Sequence, residues 1–467
     1  MKTRTEKDSL GEQEIPANAY YGIQTHRALQ NFPISGIRPM PRYVDATVHI
    51  KKAAAVVNRD LGLLESGIAA AIIRASDEVL AGGLREWFLV DVYQAGAGTS
   101  HNMNVNEVLA NRALEILGKS KGEYRLVHPN DHVNMSQSTN DVCPTAIRLG
   151  ALLESRSLTS ALKHLGKTLA DKAREFDAVI KSGRTHLMDA VPVRLGQEFG
   201  AYAANMQKHG EALERGLEQL KELGIGGTAT GTGLNAHPEY RKRMVAQLSG
   251  QFGQEFRMAG DYFEAMQSLR PMVEFSGALR NCAQDLSRIA NDMRLMGSGP
   301  KTGLAEIQLP AVQPGSSIMP GKVNPSMAEM LNMVCYQVLG YDTALVFAAQ
   351  AGQLELNVMM PLVAYNLLHG MSILTNAVHA FTERCVEGLK ANPERCRYYA
   401  ENSTSIVTVL NPHIGYAAAA EIAKEYLSSG RSIRELVLEK KLLTSDQADK
   451  VFDLRGMTEP GIHKEAS

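Results

Sequence analysis

Tryptophan occurs once in 467 residues, and aromatic residues make up only 6% of the chain. Strands favour aromatic and β-branched side chains, so this scarcity argues against a large sheet. Cysteine is also sparse. Cys143, Cys282, Cys335, Cys385 and Cys396 are odd in number and include no CxxC pair. They read as reduced, mostly buried thiols of a cytoplasmic protein rather than a disulfide framework. No apolar run reaches the roughly 18 residues of a membrane span. Met1–Leu10 has no apolar h-region, so no secretory signal is expected. Net charge is −1. With no long basic run, neither nucleic acid nor an anionic membrane is an expected partner. HExxH, GxGxxG, GxxxxGK[ST] and GxSxG are all missing. Zinc, dinucleotide, P-loop and serine-hydrolase chemistry therefore lack their signatures, and neither a metal nor a cofactor is expected.

Helical signal is plentiful. Met272, Phe275, Leu279, Cys282, Leu286, Ile289, Met293 and Met296 keep alternating three- and four-residue steps, a seam of about seven turns. Leu158, Leu162, Leu165, Leu169, Phe176 and Val179 follow the same rhythm, with Lys172 in one slot. Segments near 200–222 and 327–387 are also helical in composition. The pattern predicts an all-α protein in three parts. Residues 1–138 form a mainly helical N-terminal domain, 139–393 a long-helix bundle, and 394–467 a small helical domain introduced by Asn392-Pro393. Seams this long bury their stripes against other long helices, and stripes left uncovered predict oligomerisation.

Four polar clusters interrupt the helical pattern: Gly96–Glu107, His128–Asp141, Gly183–Ala190 and Pro314–Pro325. Each one alone reads as capping and turn chemistry. Together they supply hydroxyls, amides, His186 and Lys322, with few carboxylates, which suits a small dianion held without metal. The last cluster lies in a Pro/Gly-dense run, 299–325. A run this long is usually functional, and Gly315 and Gly321 suit a loop that closes over a ligand. The turn Gly224–Gly233 matches no phosphate fingerprint and reads as a tight connection. His49, His164, His209, His369 and His379 lie in helical stretches and read as core or surface residues.

Gly315-Ser-Ser-Ile-Met-Pro-Gly-Lys-Val-Asn-Pro325 resembles the signature loop of the aspartase/fumarase superfamily. The likeness runs from near Ile15 to beyond Gly415, essentially the whole chain. Asn18-Ala-Tyr-Tyr-Gly22, Gly98-Thr99-Ser100 and Ser138-Thr139-Asn140-Asp141 are similar to the aspartate ammonia-lyase branch. Gly226-Gly-Thr-Ala229 and His128-Pro-Asn-Asp131 are similar to class II fumarases. Met188 stands where both branches commonly carry glutamine.

The resemblance implies an all-helical homotetramer around a central helix bundle, with active sites shared by three subunits. It implies reversible deamination of L-aspartate to fumarate and ammonia through an aci-carboxylate intermediate. The alternative is fumarate hydration to L-malate. It assigns Ser316 as the base, with Ser317 beside it. Thr99, Ser138 and Thr139 match the donors around the β-carboxylate, and Lys322 and Asn324 match the α-carboxylate contacts. Asn140 and Thr185 match contacts to the amino group or carboxylates. His186 matches a substrate contact, and Glu329 the carboxylate that orients it.

Overall fold

The computed structural model describes residues 2–461. The apolar seams become five long helices: Thr139–Glu175, Leu195–Gln219, Arg270–Met296, Ser326–Gln350 and Met360–Phe381. Every member of the Met272–Met296 seam is 5% exposed or less. Complete burial of one such side chain contributes about 1.5–3 kcal/mol, so this stripe is a principal source of stability. Lys172 sits buried in its seam slot. Its ammonium donates to the Leu389 carbonyl and to Glu175, both at 2.8 Å, which makes a cation tolerable there.

The expected all-α class is observed, with four two-stranded sheets among the described residues. Two of these sheets are substantial hairpins: Thr3–Asp8 with Gly11–Pro16, and Ile180–Thr185 with Met188–Arg194. In the first, Glu6 is the only buried residue of its opening strand. A strand without apolar alternation leaves no period-2 trace in the sequence. The 299–325 run is irregular apart from Ile307–Gln308, which pairs antiparallel with Lys390–Ala391.

The chain divides into two compact units: residues 1–160, 209–284 and 334–376, and residues 161–208, 285–333 and 377–467. Each long helix contributes residues to both. In the first unit, helices Pro41–Asp60, Ser66–Leu80 and Thr99–Ile116 share a core around Val48, Ile72, Val105, Val108 and Leu109. In the second, short helices around Ile422, Leu436, Val437 and Val451 form a separate apolar cluster. Ser432 with Glu435, and Thr444 with Gln447, close capping boxes that start two of these helices. All five cysteines are buried thiols. No helix among the described residues is long and apolar enough to cross a membrane.

Candidate active site

In the first unit, Thr99 and Thr139 each open a helix, Thr99–Ile116 and Thr139–Glu175. Free main-chain N–H groups at such ends favour anions. Gly98 precedes Thr99 at φ 99°, and a Cβ there would lie 2.6 Å from Cys143 Sγ, so only glycine fits. Thr99 is exposed, and its hydroxyl donates to the Gly96 carbonyl at 2.7 Å. Ser138, Thr139 and Asn140 are half-buried. Asn102 Nδ2 donates to Thr139 Oγ1 at 3.4 Å and so ties the two helix starts together.

Asp141 supports this arrangement from below. Its carboxylate is fully buried and accepts N–H bonds from Ser138, Gly226 and Thr228, each at 2.9 Å. Asn140 Nδ2 donates to the Ala229 carbonyl at 2.8 Å. The glycine-rich turn is therefore bonded to the Ser138–Asn140 segment and is more than a connection. Burial pushes the Asp141 carboxyl up to about 6, although the three N–H groups and Lys51 pull it down. Lys51 is also fully buried, and its ammonium donates to Asn134 Oδ1 at 2.8 Å and Gln137 Oε1 at 3.0 Å. Burial lowers Lys51 to about 7, against the pull of Asp141. His101 donates from Nε2 to Thr47 Oγ1 at 2.9 Å, because the Thr47 hydroxyl is spent on the Tyr43 carbonyl. Burial and Lys51 hold His101 near 3, neutral and unsuited to acid catalysis.

The second unit carries the other candidates. Thr185 and His186 lie at the exposed tip of the Ile180–Arg194 hairpin. His186 and Leu187, at φ 56° and 60°, form its two-residue turn. Two successive non-glycine residues in the left-handed region cost about 1–3 kcal/mol each, and such strain gathers at functional sites. In the Ser316 loop, the N–H groups of Met319 (2.9 Å) and Ile318 (3.2 Å) both donate to Ser316 Oγ. Two donors aimed at one hydroxyl oxygen favour its deprotonated form. The loop's base is closed by Gly315 N–H to the Lys322 carbonyl (2.8 Å) and Asn324 Nδ2 to the Gly315 carbonyl (2.6 Å). A Cβ on Gly315 would lie 2.5 Å from that Lys322 oxygen. Ser317 and Lys322 are exposed, and the segment borders an open hollow of about 550 Å³.

No hydrogen bond or ion pair among the described residues joins His186 to Glu329. Glu329 instead accepts from Arg294 Nη2 at 3.5 Å. The candidates thus form two sets. Thr99, Ser138, Thr139 and Asn140 belong to the first unit, and Thr185, His186, Ser316, Ser317, Lys322, Asn324 and Glu329 to the second. Sequence reasoning passed over Asp141, Lys51 and Asn102 as site supports. Asp141 lies in a recognisable motif, but two of its three N–H partners are 85 and 87 residues away.

The family model described as Lyase matches residues 11–340, and that described as Fumarase C C-terminus matches 406–459. An aspartate ammonia-lyase of Bacillus subtilis (strain 168) is 49% identical over 459 residues, covering 98% of this chain and 97% of that protein. The chain belongs to the aspartase/fumarase superfamily. Other members of that superfamily show the same reach. A class II fumarate hydratase of Thermosynechococcus vestitus is 47% identical over 449 residues, 96% of each chain. A crystal structure of a fumarate lyase:delta crystallin from Brucella melitensis superposes with a TM-score of 0.95 at 50% identity, covering 98% of this chain and 100% of that one.

Proposed function

We propose that this protein is a carbon–nitrogen lyase that converts L-aspartate reversibly to fumarate and ammonia. Aspartate ammonia-lyases 47–51% identical to it over nearly the whole chain support the substrate. The observation that carries the chemistry is the Ser316 hydroxyl held under two N–H donors. As alkoxide, Ser316 takes the proton from the carbon beside the β-carboxylate. The C–H electron pair moves into that carboxylate as an aci-carboxylate dianion. When it returns, the carbon–carbon double bond forms, the carbon–nitrogen bond breaks and ammonia leaves.

Ser138 and Thr139 supply neutral donors around the β-carboxylate, joined by Thr99 when its hydroxyl turns from the Gly96 carbonyl to substrate. Their bonds strengthen as the second charge develops, so they favour the transition state over bound substrate. Lys322 and Asn324 hold the α-carboxylate. Asn140, Thr185 and His186 orient the amino end, and Glu329 orients His186 only if the two meet across subunits. A homotetramer whose sites draw on three subunits accounts for candidates divided between two units of one chain. The Ser326–Gln350 helix supports assembly, because Met333, Tyr336 and Phe347 on it are 65%, 57% and 62% exposed. Light scattering is expected to give four times the chain mass.

The competing reading is fumarate hydration, favoured by the fumarase-like turn at 226–229 and by the Thermosynechococcus relative. Following fumarate absorbance with L-aspartate and L-malate offered separately decides between them. Fumarate from aspartate, and ammonium-dependent loss of fumarate, are expected. Fumarate from malate with no response to ammonium would overturn the proposal.

A further inference from the structure

A buried ion cluster lies at the foot of the hairpin, outside the proposed substrate contacts. Glu306 is fully buried, ten residues before Ser316. Its Oε1 accepts from Arg184 Nη1 at 2.8 Å, and its Oε2 lies 2.9 Å from Lys181 Nζ. Lys181, with a side chain 3% exposed, also donates to both oxygens of Glu198 at 3.0 Å. The main chain of Glu306 is pinned as well. Its N–H donates to the Met296 carbonyl at 2.9 Å, and its carbonyl accepts from Asn392 N–H at 2.8 Å. A buried ion pair seldom outperforms apolar side chains of the same volume in stability. The cluster is therefore better explained by the positions it defines.

We propose that Glu306 is a positioning residue for the reaction. Its main chain is fixed at the end of the Arg270–Met296 helix, and its carboxylate is fixed to the strand that ends in Thr185. Arg184 immediately precedes Thr185, so its bond to a fully buried carboxylate limits how far the strained His186 turn can swing. The same residue begins the segment that leads into the Ser316 loop. Glu306 thereby sets the hairpin and the loop's approach in one frame. The inference rests on the substrate roles proposed above for Thr185, His186 and Ser316.

The test uses the full-length enzyme. Glu306→Gln alone leaves the buried Lys181 charge to Glu198 only, and that variant can fail to fold. The double variant K181M/E306Q removes both charges at similar volume; Glu198, partly exposed, then turns to solvent, and Arg184 is left with a neutral amide acceptor in place of its buried carboxylate. The double variant's melting temperature is expected to match the parent. Its kcat should fall about 10- to 100-fold, the scale of a 1 Å misplacement of contact groups, with KM within about threefold. Glu306→Asp, which retains the charge, should recover part of kcat. A kcat for K181M/E306Q within twofold of the parent overturns the role, because the cluster would then be structural only. Should the parent act on L-malate instead of L-aspartate, the substrate reading fails. The same kcat ratio taken with L-malate still decides the role of Glu306.

Discussion

Asp141→Asn separates positioning from stability. Asp141 Oδ1 accepts from Ser138 N–H, and Oδ2 accepts from Gly226 and Thr228 N–H. Asparagine keeps one accepting oxygen and turns a donor amide toward the other side. Its better orientation serves the glycine-rich turn and leaves the Ser138 N–H facing a donor. A buried N–H without a partner costs about 1–3 kcal/mol. The opposing effect is relief of a buried charge. Asp141 titrates near 6 in the fold against an ordinary 3.8, so its ionised form costs about 3 kcal/mol at neutral pH. The two effects are of equal size, and the variant should melt near the wild type at pH 7. Turnover should nevertheless fall about 10- to 100-fold, because the Ser138 N–H loses its acceptor and only the Asn140–Ala229 bond still ties the segment to the turn. The pH dependence has a defined sign. An acid whose folded value is raised contributes stability below its unfolded value, and that stability is lost as pH rises through the folded value. Wild-type stability relative to the variant should therefore drop by about 2.4 kcal/mol between pH 4 and pH 8. Denaturant melts across this range, with kcat measured alongside, make the comparison. Wild-type turnover in the variant, or a stability difference that does not change with pH, would refute the reasoning.

Ser316→Ala should fold and assemble normally yet lose about 10²–10⁴-fold in kcat, the scale of a positioned base; aspartate turnover by a folded variant at wild-type rate would reject Ser316. Gly98→Ala should lose about 2–4 kcal/mol in denaturant melts, from left-handed strain together with the Cys143 clash. Adding Cys143→Ala should restore only the clash part. Glu107→Gln tests a second buried acid, which accepts N–H bonds from Gly22, Gln24 and Thr25 at 2.9–3.1 Å. Burial pushes Glu107 up to about 7 from 4.5, so wild-type stability falls between those pH values, and the variant should flatten that slope in melts.

The long helices were legible because seams such as Met272–Met296 repeat one rule over many turns, and every member of that seam is buried. The irregular 299–325 run was legible because proline and glycine mark it directly. The break between Gln350 and Met360, inside a stretch that reads as helical from 327 to 387, was not. There Asn357 Nδ2 donates to the Ala348 and Ala349 carbonyls. It satisfies a helix end from outside the helix, a role that composition does not reveal. The hairpin at 180–194 was hidden for a related reason. Its turn is made by His186 and Leu187 in a backbone region where glycine or asparagine would have announced it.

Groups proposed to touch substrate stood out because hydroxyls, amides and a lysine clustered where helical residues were expected. The groups that hold them did not stand out. Asp141 reads as a first-turn acid, Lys51 as a helix cation and Glu306 as one loop carboxylate among many. Each acquires a role only through partners far along the chain: Gly226 for Asp141, Asn134 for Lys51, and Lys181 and Arg184 for Glu306. Charge burial is what distinguishes them. A buried carboxylate or ammonium is costly unless its partners are in place, so each such group reports a position that the surrounding main chain must keep. Lys51 bonds Asn134 and Gln137 just before Ser138, Asp141 bonds the Ser138 N–H, and Glu306 bonds Arg184 next to Thr185. In this reading the neutral donors gain their catalytic advantage from buried charges that keep them still, and substitutions at those charges should lower kcat more than they change KM.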